Sequence, residues 1–232
     1  MAERALITGA NRGIGLALVE EALARGIHVV ACCREPERAT ELNALMRARD
    51  GHLQVAPLEV TNAVQVQRLA AQVQGEGLDY VLANAGVYGP KGLALDELEA
   101  SVWTEVMRIN TIAPIELLRA MVPALEAGQR KVFVAMSSKM GSIGDNASGG
   151  SYVYRSSKAA LNAAVRSAAL DLRERGLTVV PVHPGWVQTE MGGPSALITT
   201  AECARTLWDL FQGLTLEHSG RFLERDGRVI PW

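Results

Sequence analysis

Six short apolar runs, RALITGA, IHVVACC, LQVAPLEV, DYVLANAG, KVFVAMSS and LTVVPVHPG, alternate along the chain with longer segments whose apolar residues recur at helical spacing. A strand that is apolar at nearly every position has to be covered on both faces, and strand–helix–strand repetition supplies that cover from crossover helices. The expected architecture is therefore α/β: a single domain over residues 1–232, with a doubly wound, mostly parallel sheet and helices on both faces. RFLERDGRVI, with its Asp226-Gly227 pair, reads as a last strand followed by a turn. The segment SSKAALNAAVRSAALDLRERG sets Leu161, Ala164, Val165, Ala168 and Leu172 three or four residues apart and should end near Gly176.

Composition narrows the partners. The chain has 232 residues, 48% of them hydrophobic and 21% charged, with a net charge of −2, so it lacks the basic excess that nucleic-acid binding requires. Cys32, Cys33 and Cys203, with His28, His52, His183 and His218, show neither a disulfide framework nor a metal-ligand spacing, which suits a reducing cytoplasm. No apolar segment approaches the roughly 20 residues of a membrane span, because the Ala-rich stretch after Lys158 is broken by Asn162 and Arg166. The opening MAERALITGA carries Glu3 and Arg4 and too short an apolar run for an export signal. The expectation is a cytoplasmic protein with no membrane, nucleic-acid or metal partner.

LITGANRGIG follows the first strand and places Gly9, Gly13 and Gly15 just ahead of a helical pattern. Glycine permits tight turning and close approach, and a helix N-terminus offers free N–H groups to a phosphate. A dinucleotide fits such a loop, and so does a purely structural turn, since Gly-x-x-x-Gly-x-Gly differs from the G-x-G-x-x-G pattern. The end of the second strand refines the choice. An acidic residue there would accept from a ribose 2′-hydroxyl, but ACCREP brings Arg34, suited to a 2′-phosphate, and Arg12 adds positive charge. NADP(H) is thus favoured over NAD(H), with Glu35 opposing.

SYVYRSSKAAL puts Tyr154 and Lys158 four residues apart, on one face of a helix. A phenol titrates near 10 when unperturbed, so an acid–base tyrosine needs positive charge close by, and Lys158 provides it. The serines of VFVAMSSKMG are candidates to hold a substrate carbonyl.

TGANRGIG, NAG, the serine pair, YRSSK and HPGWVQTEM, in this order and at these intervals, resemble the short-chain dehydrogenase/reductase family over nearly the whole chain. The resemblance implies a Rossmann-type domain, an NAD(P) cofactor, a small carbonyl or alcohol substrate, and a catalytic set carried over onto Asn110, Ser138, Tyr154 and Lys158. Tyr154 would be the general acid in carbonyl reduction, Ser138 would polarise the oxygen, and Lys158 would lower the phenol's pKa and hold the nicotinamide ribose. Asn110 would anchor a water on the proton path to Lys158. Cofactor contacts would come from Gly9, Asn11, Arg12, Gly13, Ile14, Gly15, Arg34, Asn84, Ala85, Gly86, Tyr154, Lys158, Pro184, Gly185, Val187 and Thr189. An adenine contact falls to Glu59 or the backbone of Val60, and Ser137 competes with Ser138.

SSKMGSIGDNASGGSYVYRSSKAALNA and HPGWVQTEMGGPSA resemble the C-factor-like branch, related to sniffer-type carbonyl reductases. That branch implies either an NADP(H)-dependent carbonyl reductase or a signalling protein with little turnover; the family resemblance implies a homo-oligomer, dimer or tetramer, through helices beside the site, and the sequence does not choose between monomer, dimer and tetramer. GGPSALIT is a short lid, for which an open cleft is expected, with Ile143, Asp145, Tyr152 and Trp186 shaping it. Trp232 reads as a subunit contact or a frayed end.

Overall fold

The computed structural model describes residues 2–48 and 51–232. Strands β1 (Arg4–Thr8), β2 (His28–Cys33), β3 (Leu53–Pro57), β4 (Tyr80–Ala83), β5 (Val132–Met136), β6 (Thr178–His183) and β7 (Leu223–Glu224) form one sheet in the order β3-β2-β1-β4-β5-β6-β7. Every strand pair is parallel, with β1 registered on β2 from Arg4 opposite His28 to Thr8 opposite Cys32, and on β4 through Leu6 opposite Val81. The order reverses between β1 and β4. That crevice, at the carboxyl ends of the strands, is where an open α/β sheet receives ligands.

Among the described residues seven helices surround the sheet: α1 (Gly13–Ala24), α2 (Thr40–Ala48), α3 (Ala63–Val73), α4 (Ala100–Met107), α5 (Ala113–Ala127), α6 (Tyr152–Asp171) and α7 (Thr200–Gly213), with α4 packed on α6. Side chains of a strand alternate between faces, so Ala5 and Ile7 of β1 enter one core while Leu6 enters the other. The first core adds Val29, Val134, Val180, Leu18, Leu207 and Trp208; the second adds Val30, Val81, Phe133, Leu69, Met121 and Leu161. Double burial explains why these strands read as continuous apolar runs.

RFLERDGRVI yields a strand of only two residues, after which Gly227, at φ +86°, turns the chain so that Val229 bridges antiparallel to Leu223. α6 ends at Asp171 rather than near Gly176, because its last turn tightens to a 3-10 turn over Arg173–Arg175 before Gly176 takes the left-handed conformation. Between α4 and α5 the helix does not break at Asn110. It widens into a π turn, Arg108–Ile112, with Pro114 just beyond. Proline has no N–H for the carbonyl four residues back, here that of Asn110, and its ring crowds that carbonyl; a wider turn relieves both problems.

Candidate active site

The glycine loop is folded back on itself. A Cβ on Gly15 would lie 2.1 Å from the Gly9 carbonyl oxygen, and Gly9 itself, at φ +64°, has Ala85 Cα 3.0 Å from its Cβ position. Asn84 fastens this turn by donating from Nδ2 to the carbonyls of Thr8 (2.9 Å) and Gly9 (3.3 Å), while Thr8 Oγ1 accepts from the N–H groups of Asn84 and Ala85. Asn84-Ala85-Gly86 therefore supports the loop from below. α1 begins at Gly13 with no side-chain cap and no acidic residue in its first turn. Its first N–H groups face the loop, a cradle suited to a pyrophosphate. Asn11 and Arg12 are exposed at the tip, and Ile14 packs half-buried against the core.

Past β2, Arg34 is exposed and has no ion-pair partner among the described residues, whereas Glu35 pairs with Arg38 at 2.7 Å. The opposing acid is thus neutralised locally. Arg12 pairs with Glu190. Glu59 turns one carboxylate oxygen back onto Thr61, accepting from its N–H at 3.2 Å and its hydroxyl at 3.1 Å, with Val60 half-buried beside it.

At the end of β5 the two serines part. Ser137 donates to Asn162 Oδ1 at 2.6 Å, while Ser138 Oγ accepts from Met140 N–H at 3.2 Å and is the serine whose hydroxyl acts on the Tyr154 phenol, holding its pKa down. Tyr154 and Lys158 lie on the buried face of α6, and Lys158 Nζ donates to the Met136 carbonyl at 2.9 Å, 5.8 Å from the Tyr154 ring centroid. α6 comes this close to the serine segment because Gly141 has no Cβ, which would sit 2.8 Å from Lys158 Cβ. Asn110, fully buried in the π turn, exchanges hydrogen bonds with Val87 (N–H to Oδ1 2.9 Å, Nδ2 to carbonyl 2.8 Å) and donates to Ser157 Oγ at 3.0 Å. Both its amide N–H groups are engaged inside the protein, so a water held at Asn110 has only oxygen to bind. A Cβ on Gly86 would touch Asn110 Oδ1 (3.2 Å) and approach Lys158 Nζ (3.5 Å), which places β4's end, the π turn and α6 around one point.

The electrostatics differ from the expectation that Lys158 lowers the phenol. Burial pushes Tyr154 up to about 12; the Ser138 hydrogen bond acts against this and the neighbouring Tyr88 adds to it. Burial also pushes Lys158 down to about 8. Desolvation dominates at both groups and keeps the phenol in its acid form. His183, at the end of β6, is pushed down to about 4 by burial and by the charges of Lys139 and Arg225.

The segment after β6 closes over the loop. Pro184 is buried, its carbonyl accepting from Cys203 Sγ at 3.3 Å, and Gly185 adopts φ +90° against Ile198 and Arg225. Val187 bridges to Ile198, and Thr189 lies 3.4 Å from the Cβ position of Gly13. The short lid is internally bonded, Gln188 N–H to the Ile198 carbonyl at 2.9 Å and Leu197 N–H to that of Trp186 at 3.0 Å, and Lys91 fastens it by donating to the Met191 carbonyl at 3.0 Å. An open cleft is therefore only part of the description: the mouth exposes Trp186 and Leu197, but the lid is tied down.

The short chain dehydrogenase family model matches residues 3–197. The chain belongs to that family. It is 42% identical over 155 residues, 67% of this chain and 93% of the relative, to the C-signal of Myxococcus xanthus. The carbonyl reductase Sniffer of D. melanogaster superposes with a TM-score of 0.95 at 32% identity, covering all of both chains. An NADPH-bound carbonyl reductase from chicken fatty liver gives 0.91 at 34% identity, covering 100% of this chain and 99% of the other. This short-chain dehydrogenase is thus a Rossmann-type oxidoreductase of the C-factor and sniffer branch. No helix among its described residues is long and apolar enough to cross a membrane, and no group of three potential metal ligands occurs among them.

Several neighbours of the site escape a reading by motif. Tyr88 stacks on Tyr154, Glu190 pairs with Arg12, and Ser142 donates to the Pro231 carbonyl at 2.6 Å. Trp232 stacks on Phe222, and its carbonyl accepts from Gly144 N–H at 3.1 Å, while its side chain stays exposed on the single chain. For Tyr88 a signal existed, a large aromatic two residues past NAG at the carboxyl end of a strand, where ligands bind in such sheets.

Proposed function

We propose that the protein is an NADP(H)-dependent carbonyl reductase that converts an aldehyde or ketone to an alcohol in a reducing cytoplasm. The observation that carries the reading is the meeting of Ser138, Tyr154, Lys158 and Asn110 at the crevice where the strand order reverses. The similarity to the Sniffer carbonyl reductase and to an NADPH-bound carbonyl reductase supports it.

The folded glycine loop and the uncapped start of α1 fit a pyrophosphate, and Arg34, with Glu35 engaged by Arg38, fits an adenosine 2′-phosphate. Gly9, Gly13, Gly15 and the first N–H groups of α1 would hold the phosphates, and Pro184, Gly185, Val187 and Thr189 would line the nicotinamide. When bound there, a reduced nicotinamide would supply the hydride. Tyr154, a protonated phenol at working pH, gives its proton to the carbonyl oxygen, and Ser138 donates a hydrogen bond to the same oxygen. Lys158, held by the Met136 carbonyl, would hold the ribose and restore the phenol's proton. Asn110 fixes the end of β4 against α6.

The similarity to the C-signal favours a second reading, a signalling protein that binds NAD(P) with little turnover. Parallel titration with NADPH and NADH, then NADPH oxidation with a panel of aldehydes, ketones and quinones, separates the two. Wild type should turn over and Tyr154→Phe should lose activity at least a thousandfold while binding NADPH normally; tight binding without turnover supports signalling. Arg34→Ala should weaken NADPH far more than NADH, and equal losses would remove the 2′-phosphate assignment. Gel filtration reads the oligomer, for which a dimer or tetramer is expected.

A further inference from the structure

We propose that Tyr88 is a positioning residue for Tyr154, holding the phenol and the first turn of α6 in place and shielding one face of the acid from water. The proposal rests on the reading of Tyr154 as the general acid. Tyr88 lies just past β4, and its ring stacks on that of Tyr154 with centroids 4.4 Å apart and planes 18° from parallel. A stacked aromatic neighbour restricts the phenol's second torsion and excludes solvent from one face.

The hydroxyl end of Tyr88 contributes a separate constraint. It is 2.9 Å from Ser151 Oγ and 3.8 Å from Met140 Sδ, the latter in the segment that begins at Ser138. Ser151 precedes α6 in the left-handed conformation, φ +48° and ψ +38°, and its side chain makes no cap hydrogen bond to the helix. Such a conformation is unfavourable for a residue with a Cβ, and it persists only where its surroundings hold it. The serine hydroxyl meets Tyr88 instead of the helix, so the entry to α6, three residues ahead of Tyr154, is fixed from outside the helix.

Lys91 adds the lid to the same contact set. Its Nζ lies 5.3 Å over the Tyr88 ring while donating to the Met191 carbonyl at 3.0 Å. Tyr88 thereby touches the acid, the start of its helix, the serine segment and the residue that ties the lid.

Three variants separate the parts: Tyr88→Phe keeps the ring and loses the hydroxyl, Tyr88→Ala loses both, and Lys91→Met releases the lid and removes the cation over Tyr88 while keeping both stacked rings. Each is assayed by NADPH oxidation with whichever panel carbonyl the wild type turns over fastest, as kcat and KM across pH, beside Tyr154→Phe. Tyr88→Ala should lower kcat about 10- to 100-fold, the range for a displaced acid, with NADPH affinity unchanged. Water reaching the phenol lowers its pKa, so the pH at which reduction is lost on the alkaline side should fall by about one unit. Tyr88→Phe should recover most of kcat and the wild-type alkaline limb. Lys91→Met should raise KM with kcat nearly constant.

A Tyr88→Ala enzyme with wild-type kcat and pH profile, measured beside an inactive Tyr154→Phe, sinks the positioning role and leaves the acid assignment standing. An equal loss in Tyr88→Ala and Tyr88→Phe with no pH shift overturns it too, because the ring would then contribute nothing. An active Tyr154→Phe, or a wild type that reduces none of the panel, removes the acid reading and this inference with it.

Discussion

At the scale of single residues, Lys158 shows how far a functional position departs from what stability alone would select. Its ammonium is buried, and burial brings its pKa from 10.5 to about 8. The sign of the effect on folding follows. The unfolded chain binds the proton more tightly, so this residue's contribution is fully present only above about pH 10.5 and is lost as pH falls through about 8. Near neutrality the folded protein therefore carries a penalty on the order of 3 kcal/mol, offset by about 1–2 kcal/mol from the hydrogen bond to the Met136 carbonyl. Lys158→Met should be inactive yet more stable than wild type by roughly 1–2 kcal/mol near pH 7, with the gain shrinking as pH approaches 10. Urea denaturation at the two pH values checks this; a variant less stable than wild type near neutrality would show that the hydrogen bond outweighs desolvation.

At the scale of elements, the turns that carry the site are held by contacts that no local pattern encodes. The six apolar runs identify their strands because double burial writes itself into the inner ones, as in VFVAM of β5, buried throughout, while edge strand β3 exposes Gln54 and Pro57. The glycine loop and the Tyr154–Lys158 spacing are legible because each is a short-range geometric requirement on one stretch of chain. The π turn at Asn110, the stack of Tyr88 on Tyr154 and the Glu190–Arg12 pair are not, since each depends on residues brought together only by the sheet. The same distinction separates two glycines two residues apart. Gly13 has a positive φ, but its Cβ position has 3.4 Å of room before Thr189, whereas Gly15 has an ordinary φ and a backbone oxygen 2.1 Å away. Gly13→Ala should cost about 1 kcal/mol of strain; Gly15→Ala must displace Gly9 and Asn84 and should cost roughly 2–4 kcal/mol together with most NADPH affinity. Melting curves and NADPH titrations of the two variants test the order, and a more damaging Gly13→Ala would contradict it.

At the scale of the whole molecule, the order of the strands makes ligand binding a matter of global stability. One core lies beneath α1 and α7, the other beneath α3, α5 and α6, and the crevice between β1 and β4 borders loops from both sides: the glycine loop, the end of β4, the serine segment and the lid. Lys91 and Glu190 already join the lid to the β4 loop and to the glycine loop. A dinucleotide in that crevice bridges elements that unfold with different cores, so its binding free energy should appear in the cooperative transition rather than in local protection of a loop. At a concentration of 100 Kd the stabilisation is about 2.7 kcal/mol, which for a chain of this length raises Tm by roughly 5–10 °C. NADPH should produce that shift with a single sharpened transition, and NADH at equal concentration should give a clearly smaller one. Arg34→Ala should bring the NADPH shift down to that of NADH and leave the melting of the free protein unchanged, since Arg34 is exposed and makes no ion pair among the described residues. Equal shifts for both dinucleotides in the wild type would assign Arg34 to the solvent and make the enzyme indifferent to the 2′-phosphate.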